Sequence, residues 1–235
     1  MGIRIKVVIP NASIEFRDSQ IEERKKTAAP GNEVEVVCLA HGPVSIEAAY
    51  DEALAAPYII EEVKKAEREG FDVISLDCAM DTIVRAAREA VKIPVTSAGE
   101  ASYLLALGLC RKFSVVTVLK STALEIKENI SKYGFENRVA SVRNANVPVL
   151  DLQDEKKAFK AILEEAKIAI KEDGAEVIVL GCTGMSSLTG KLQKELDVPV
   201  IDPAAASLKL AEIYVSMGLT TSKIAYEAPG EKEII

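Results

Sequence analysis

Residues 69–78 read EGFDVISLDC, and residues 173–182 read DGAEVIVLGC. Displaced by 104 positions, the two stretches share Gly70/Gly174, Val73/Val177, Ile74/Ile178, Leu76/Leu180 and Cys78/Cys182. The echo runs on. KIPVTSAGEAS (92–102) answers DVPVIDPAAAS (197–207) at an offset of 105, and VVIPNAS (7–13) answers VVTVLKS (115–121) at an offset of 108. Self-similarity at this spacing is the mark of a duplicated supersecondary unit. Two such units related by a pseudo-twofold axis would bring one thiol from each copy face to face. That arrangement suits carrying a proton from one side of a carbon to the other.

Short apolar runs rich in β-branched residues recur at 3–9, 34–40, 72–76, 94–97, 113–118, 138–142, 176–180 and 199–201. Most are apolar on both faces, as parallel strands covered by helices must be. Helical spacing falls between them at 61–70, 82–91, 100–109, 123–133, 155–173, 187–196 and 204–217, with Gly70 and Gly174 as C-terminal caps. Strands alternating with helices predict an α/β fold of two similar lobes, each a parallel sheet flanked by helices. The chain carries 29 basic and 36 acidic residues, a net charge of −7, with no basic stripe. Nucleic acid and anionic membrane are therefore poor partners. No signal peptide is evident and no apolar run reaches bilayer length, so the expected compartment is the cytoplasm, where four cysteines stay reduced. The polar tail EAPGEKEII (227–235) reads as loosely held.

Cys78 and Cys182 each follow a strand and precede a helical run. Ligands of open α/β sheets bind at the carboxyl ends of strands, and a helix N-terminus lowers a thiol pKa. Both cysteines are thus expected in a cleft, partly exposed and thiolate-prone. Cys38 and Cys110 have no repeat mate and read as packed small hydrophobes. There is no C-x-x-C, and His41, the one histidine, is remote from every key cysteine in sequence, so neither a metal site nor a Cys–His pair is favoured. Other strand ends supply polar groups: Asn11 and Ser13 in Pro10-Asn11-Ala12-Ser13, Thr117 to Thr122 in the second copy, and Thr183 after Cys182. They are candidate substrate contacts and equally good turn and cap formers.

With the repeat and both cysteines placed, the whole chain resembles the aspartate/glutamate/hydantoin racemase superfamily, and most of all its hydantoin (allantoin) racemase branch. GPVSIEAAYDEALAAP (42–57), PNAS (10–13), DCAMDTIVRAARE (77–89), PVTSAGEAS (94–102) and GCTGM (181–185) carry the resemblance. It implies a cofactor-independent isomerase acting on a small molecule. One cysteine as thiolate takes the proton from the stereocentre, and the other as thiol returns one on the opposite face. Asn11, Ala79, Thr117, Thr183 and Gly184 would then cradle substrate oxygens and ring nitrogens. It also implies a discontinuous first lobe, residues 1–98 with 207–235, around a second of 99–206, and self-association of the kind relatives show, although no stretch declares an interface.

Amino-acid racemases of the superfamily carry an acid in the first loop and a histidine after the second Cys-Thr. Here those places hold Asn11 and Gly184. MDT (80–82) and Thr117-Val118 are further departures. They point to a more acidic carbon, such as C5 of a substituted hydantoin, while leaving open an aspartate or glutamate racemase, a decarboxylase or a maleate isomerase. From other classes, a two-lobed binding protein and a redox pair with a Cys78–Cys182 disulfide remain alternatives.

Overall fold

A computed structural model describes residues 2–13 and 17–230; of the polar tail, residues 231–235 lie outside the described ones. Among the described residues eight strands form two parallel four-stranded sheets. In the first, β1 (Arg4–Ile9), β2 (Glu33–Cys38), β3 (Val73–Leu76) and β4 (Val95–Ser97) lie in the order β2-β1-β3-β4. In the second, β5 (Phe113–Thr117), β6 (Val139–Asn144), β7 (Val177–Leu180) and β8 (Val200–Ile201) lie in the order β6-β5-β7-β8. All eight strands fall where the apolar runs predict them.

The register of the sheets reproduces the sequence offsets. Ile5 pairs with Val73 and Phe113 with Val177, which are displacements of 108 and 104. Ile74 pairs with Val95 and Ile178 with Val200, displacements of 104 and 105. The duplication is therefore one of three-dimensional units, with insertions confined to the crossovers. The central strands β1, β3, β5 and β7 are almost wholly buried, with helices over both faces as parallel sheets require.

The helices are α1 (Arg17–Thr27), α2 (Ala49–Arg68), α3 (Val84–Ala90), α4 (Ala98–Leu109), α5 (Lys120–Lys132), α6 (Glu155–Asp173), α7 (Thr189–Glu195) and α8 (Pro203–Ser216). Helix α4 follows β4 of the first sheet and reaches β7 and β8 of the second, whereas α8 follows β8 and packs on β1, β3 and β4. The two helices also pack on each other, so each copy contributes its last helix to its neighbour.

Two helical segments depart from the sequence expectation. Helix α1 was not predicted, because RDSQIEERKKT has almost no apolar stripe; its tie to the fold is the buried side chain of Arg24. Helix α2 begins twelve residues before the predicted 61–70 and runs straight through Pro57. An interior proline costs about 3 kcal/mol. Ile59 and Val63 are fully buried on one face of α2, and at about 1.5–3 kcal/mol each their burial outweighs that cost. The segment after α8 is also ordered further than its polarity suggests. Thr220 Oγ1 donates to Lys92 O, Lys223 Nζ to Arg88 O, and the Arg88 guanidinium lies 5.5 Å from the Tyr226 ring centre.

Candidate active site

In each sheet the chain leaves the first central strand toward one edge and crosses back to the other side. The switch point lies between β1 and β3 in the first sheet and between β5 and β7 in the second, and loops at the carboxyl ends there form ligand sites in such folds. Cys78 lies two residues past β3 and Cys182 two residues past β7. Both line one cleft with Ile9, Asn11, Ile46, Val149, Thr183 and Gly184. The cavity is small, about 40 Å³.

Of the eight candidate residues, five meet there: Cys78, Cys182, Asn11, Thr183 and Gly184. Ser13, Ala79 and Thr117 are buried and do not line the cleft. The Ser13 N–H donates to Asn11 Oδ1 at 3.1 Å. That leaves the Asn11 amide NH₂ as the group available to a carbonyl oxygen. Thr117 Oγ1 donates to Gly181 O at 2.9 Å, so it fixes the residue before Cys182 rather than a ligand. Ala79 packs behind its cysteine, where its carbonyl crowds Gly99: a β-carbon there would lie 2.5 Å from Ala79 O.

Sequence reasoning missed the brace beneath the two thiols. Arg24 Nε donates to Asp77 Oδ2 at 2.8 Å, and Arg24 Nη2 donates to Asp77 Oδ1 at 3.4 Å and to Thr183 O at 3.2 Å. Thr183 Oγ1 donates to Asp77 O at 3.2 Å. Asp77 precedes one cysteine and Thr183 follows the other, so one guanidinium and one hydroxyl tie both loops together. The side chains of Arg24 and Asp77 are 3% and 2% exposed. The signal was present as an Arg in a polar stretch and an Asp at a strand end, but no periodicity joins residues 53 positions apart.

The loop after Cys78 is held just as firmly. Asp81 and Ile83 take left-handed φ of +54° and +50°, a conformation that costs non-glycine residues about 1–3 kcal/mol each. Buried Asp81 accepts from Ser97 Oγ, the N–H groups of Gly99 and Glu100, and Tyr133 Oη. It thereby caps α4 from a distance, and burial pushes its carboxyl up to about 6.

Both cysteines are half-buried and free, but neither is thiolate-prone as expected. Burial pushes Cys78 up to about 12, against the opposing help of the Thr82 hydroxyl and the Met80 N–H. Burial pushes Cys182 up to about 11, opposed by the Gly184 N–H and by Arg24. The reason is local geometry. Helix α3 starts only at Val84, six residues past Cys78. Cys182 opens a 3-10 turn, Thr183–Leu188, instead of an α-helix. The expected helix dipole is thus absent from both thiols and desolvation dominates. Cys38 and Cys110 are likewise raised by burial.

His41 packs against Tyr58, with ring centres 5.7 Å apart, and does not line the cleft. Among the described residues no cluster of His, Cys, Asp and Glu is arranged to hold a metal, and no helix is long and apolar enough to cross a membrane.

A family model for Asp/Glu/Hydantoin racemase matches residues 5–211. A hydantoin racemase of Pseudomonas sp. (strain NS671) is 39% identical over 235 residues, covering 99% of this chain and 94% of that protein. A hydantoin racemase of Paenarthrobacter aurescens is 36% identical over 236 residues, covering 99% of this chain and 100% of its own. The structure of an allantoin racemase from Klebsiella pneumoniae superposes with a TM-score of 0.95 at 36% identity, over 100% of this chain and 96% of that one. These likenesses place the chain among the isomerases: it belongs to the Asp/Glu/hydantoin racemase family.

Proposed function

We propose that the protein is a cofactor-independent racemase that inverts C5 of 5-substituted hydantoins or of allantoin, with Cys78 and Cys182 as the two bases. The observation that carries this reading is the pair of thiols lining one cleft from equivalent loops of a duplicated fold. One sulfur takes the C5 proton, and the electron pair left behind delocalises onto the neighbouring carbonyl oxygen. The other sulfur gives its proton to the opposite face, and the thiol and thiolate have exchanged places. Asn11 Nδ2 is the donor suited to the developing oxyanion, usually a large catalytic contribution, while the Gly184 N–H serves the Cys182 sulfur.

A neutral ring suits the cleft better than a free amino acid. Among the described residues no lysine or arginine lines it, and Arg24 beneath it is committed to Asp77. Gly184 stands where amino-acid racemases of the resemblance carry histidine; a β-carbon there would lie 3.0 Å from Leu152 Cδ1 and 3.5 Å from Cys182 Sγ. The resting site holds two thiols at neutral pH. Ionising Cys182 from about 11 to act at pH 7 costs about 5 kcal/mol, which substrate binding and neighbouring groups must supply. Once one sulfur is charged, the like charge holds the other protonated, as a two-base exchange needs.

The test is proton NMR of an L-5-alkylhydantoin in heavy water, with polarimetry on the same sample. Loss of the C5 proton with decay of rotation to zero is expected, and loss of racemisation in both Cys78→Ser and Cys182→Ser. An unchanged spectrum with the hydantoin, together with rapid racemisation of L-aspartate, would overturn the substrate assignment. Racemisation at the parental rate by either serine variant would overturn the two-base assignment.

A further inference from the structure

Thr82 sits between two groups that both want its one proton. Its Oγ1 lies 2.9 Å from Glu52 Oε1 and 3.3 Å from Cys78 Sγ. A threonine hydroxyl has one hydrogen and two lone pairs. When it donates to the carboxylate it is free to accept from the S–H; when it donates to a thiolate it is free to accept from a protonated Glu52. The three groups thus form a chain with two consistent proton arrangements. Glu52 and Thr82 are absent from the substrate cleft. Glu52 lines a separate cavity of about 570 Å³ behind the Cys78 loop, together with Met80, Asp81, Arg85 and Lys132.

We propose that Glu52 and Thr82 form a relay that takes the proton from Cys78 and returns it, through the side of the thiol away from the substrate. The proposal rests on Cys78 acting as a base. In the forward step the S–H bond breaks and its proton joins Thr82 Oγ1, while the hydroxyl's own proton passes to Glu52 Oε1. This leaves a thiolate, an intact threonine and a neutral carboxylic acid. The acid then loses its proton to water in the rear cavity, and the reverse sequence reloads the thiol. Such a path resets Cys78 between turnovers without passage through an occupied cleft. Glu52 and Thr82 are positioning residues: they act through the sulfur and touch no substrate.

The charge setting of Glu52 fits the task. Burial pushes its carboxyl up to about 7, where it can both accept and release a proton near neutral pH. Glu125 and Asp81 raise it further, while Thr82 and Lys132 oppose them. Arg85 and Arg88 of α3, Tyr133 just past α5 and Tyr226 face the same cavity. Among the described residues the second copy has no such relay. The residue at the Thr82 offset is Ser186, whose hydroxyl is directed to Thr183 O at 2.9 Å and Asp202 Oδ1 at 2.8 Å instead of Cys182.

The test is the rate at which iodoacetamide alkylates each cysteine, resolved by peptide mass, from pH 6 to 9 in the parent, Glu52→Gln, Thr82→Val and Thr82→Ser. In the parent, the Cys78 rate should climb through an inflection near pH 7. In Glu52→Gln and Thr82→Val that inflection should vanish with Cys182 unchanged within twofold; at pH 8 the Cys78 rate should fall in Thr82→Val, which loses the hydroxyl that favours the thiolate, and rise in Glu52→Gln, which loses the carboxylate charge that opposes it. Thr82→Ser should restore the parental profile. Racemisation kcat/KM should fall in the same two variants, in line with the ~10²–10⁴-fold effects of positioned acid–base groups. An unaltered Cys78 profile in Glu52→Gln would overturn the relay. Because alkylation reads Cys78 without turnover, that result stands apart from the serine variants that test the racemase assignment. If Glu52→Gln melts well below the parent, Thr82→Val and Thr82→Ser decide alone, and equal profiles for those two would also overturn it.

Discussion

Arg24→Met should be among the most damaging single substitutions outside the cysteines. The side chain is 3% exposed and makes four hydrogen bonds, two to Asp77, one to Thr183 O and one to Glu23 Oε2. Methionine fills the stem's space but leaves the Asp77 carboxylate buried without its counter-charge. Breaking a buried pair from one side costs about 3–5 kcal/mol, most of it the stranded charge. For a chain of this length about 2–4 °C is lost per kcal/mol, so Tm should fall by about 6–20 °C. Asp77→Asn added to Arg24→Met removes the stranded charge and should recover about 2 kcal/mol. The two single changes should therefore fall well short of additivity. Thermal and urea unfolding followed by far-UV circular dichroism measure all four corners of this cycle. The activity arm is separate. Arg24 eases the ionisation of Cys182 and holds the Thr183 carbonyl, so kcat/KM should fall at temperatures where the variant is still folded. Additive single effects, or an Arg24→Met protein within about 1 kcal/mol of the parent, would refute the idea that this ion pair braces the cleft.

Two further outcomes can be measured with ordinary variants. In Gly181→Ala the new β-carbon would lie 2.5 Å from Thr117 Cβ and 2.9 Å from Thr117 Oγ1; the neighbouring backbone carries Cys182, so activity should drop at least tenfold, and Thr117→Ser should not restore it because serine keeps both crowding atoms. The Glu52 carboxyl stands at about 7 in the fold, raised by burial above its ordinary 4.5. Its contribution to stability is complete below pH 4.5 and is lost as pH rises through 7. Urea midpoints of parent and Glu52→Gln should thus shift in favour of the variant between pH 5 and pH 8; a pH-independent difference would contradict the raised carboxyl.

The sheets were legible because burial on both faces leaves a run of apolar residues that needs no context. Duplication added register: Val73/Val177 and Val95/Val200 are matched in sequence and again in the ladders. The cysteines were legible as a repeated strand-end residue. Helix α1 was not, because a helix tied down by one buried arginine shows no hydrophobic period. The thiol chemistry was misjudged for a related reason. That an α-helix follows Cys78 is visible in sequence, but that it starts only after two left-handed residues, Asp81 and Ile83, is not. The Arg24–Asp77–Thr183 brace joins residues 53 and 159 apart, and such polar contacts obey no local pattern.

Duplication made two similar loops, yet the two thiols are wired differently. Cys78 faces a hydroxyl and a carboxylic acid, and Cys182 faces a backbone N–H, an arginine and Asp77. For a racemase this asymmetry is constrained. The two enantiomers of a substrate have equal free energy, so kcat/KM must be the same in both directions however unlike the bases are. The difference can only surface in kcat and KM separately, each moving by the same factor. The enantiomer whose proton is taken by Cys182, the sulfur that ionises more easily, should turn over under saturation at a different rate from its mirror image. Mutation of Thr82, which touches only Cys78, should change that ratio of kcat values while leaving the two kcat/KM values equal to each other. Full progress curves from each pure enantiomer, fitted together, give all four constants. A kcat ratio of one in the parent that stays at one in Thr82→Val would mean that the loops are functionally equivalent and that their different neighbours do not reach the sulfur chemistry.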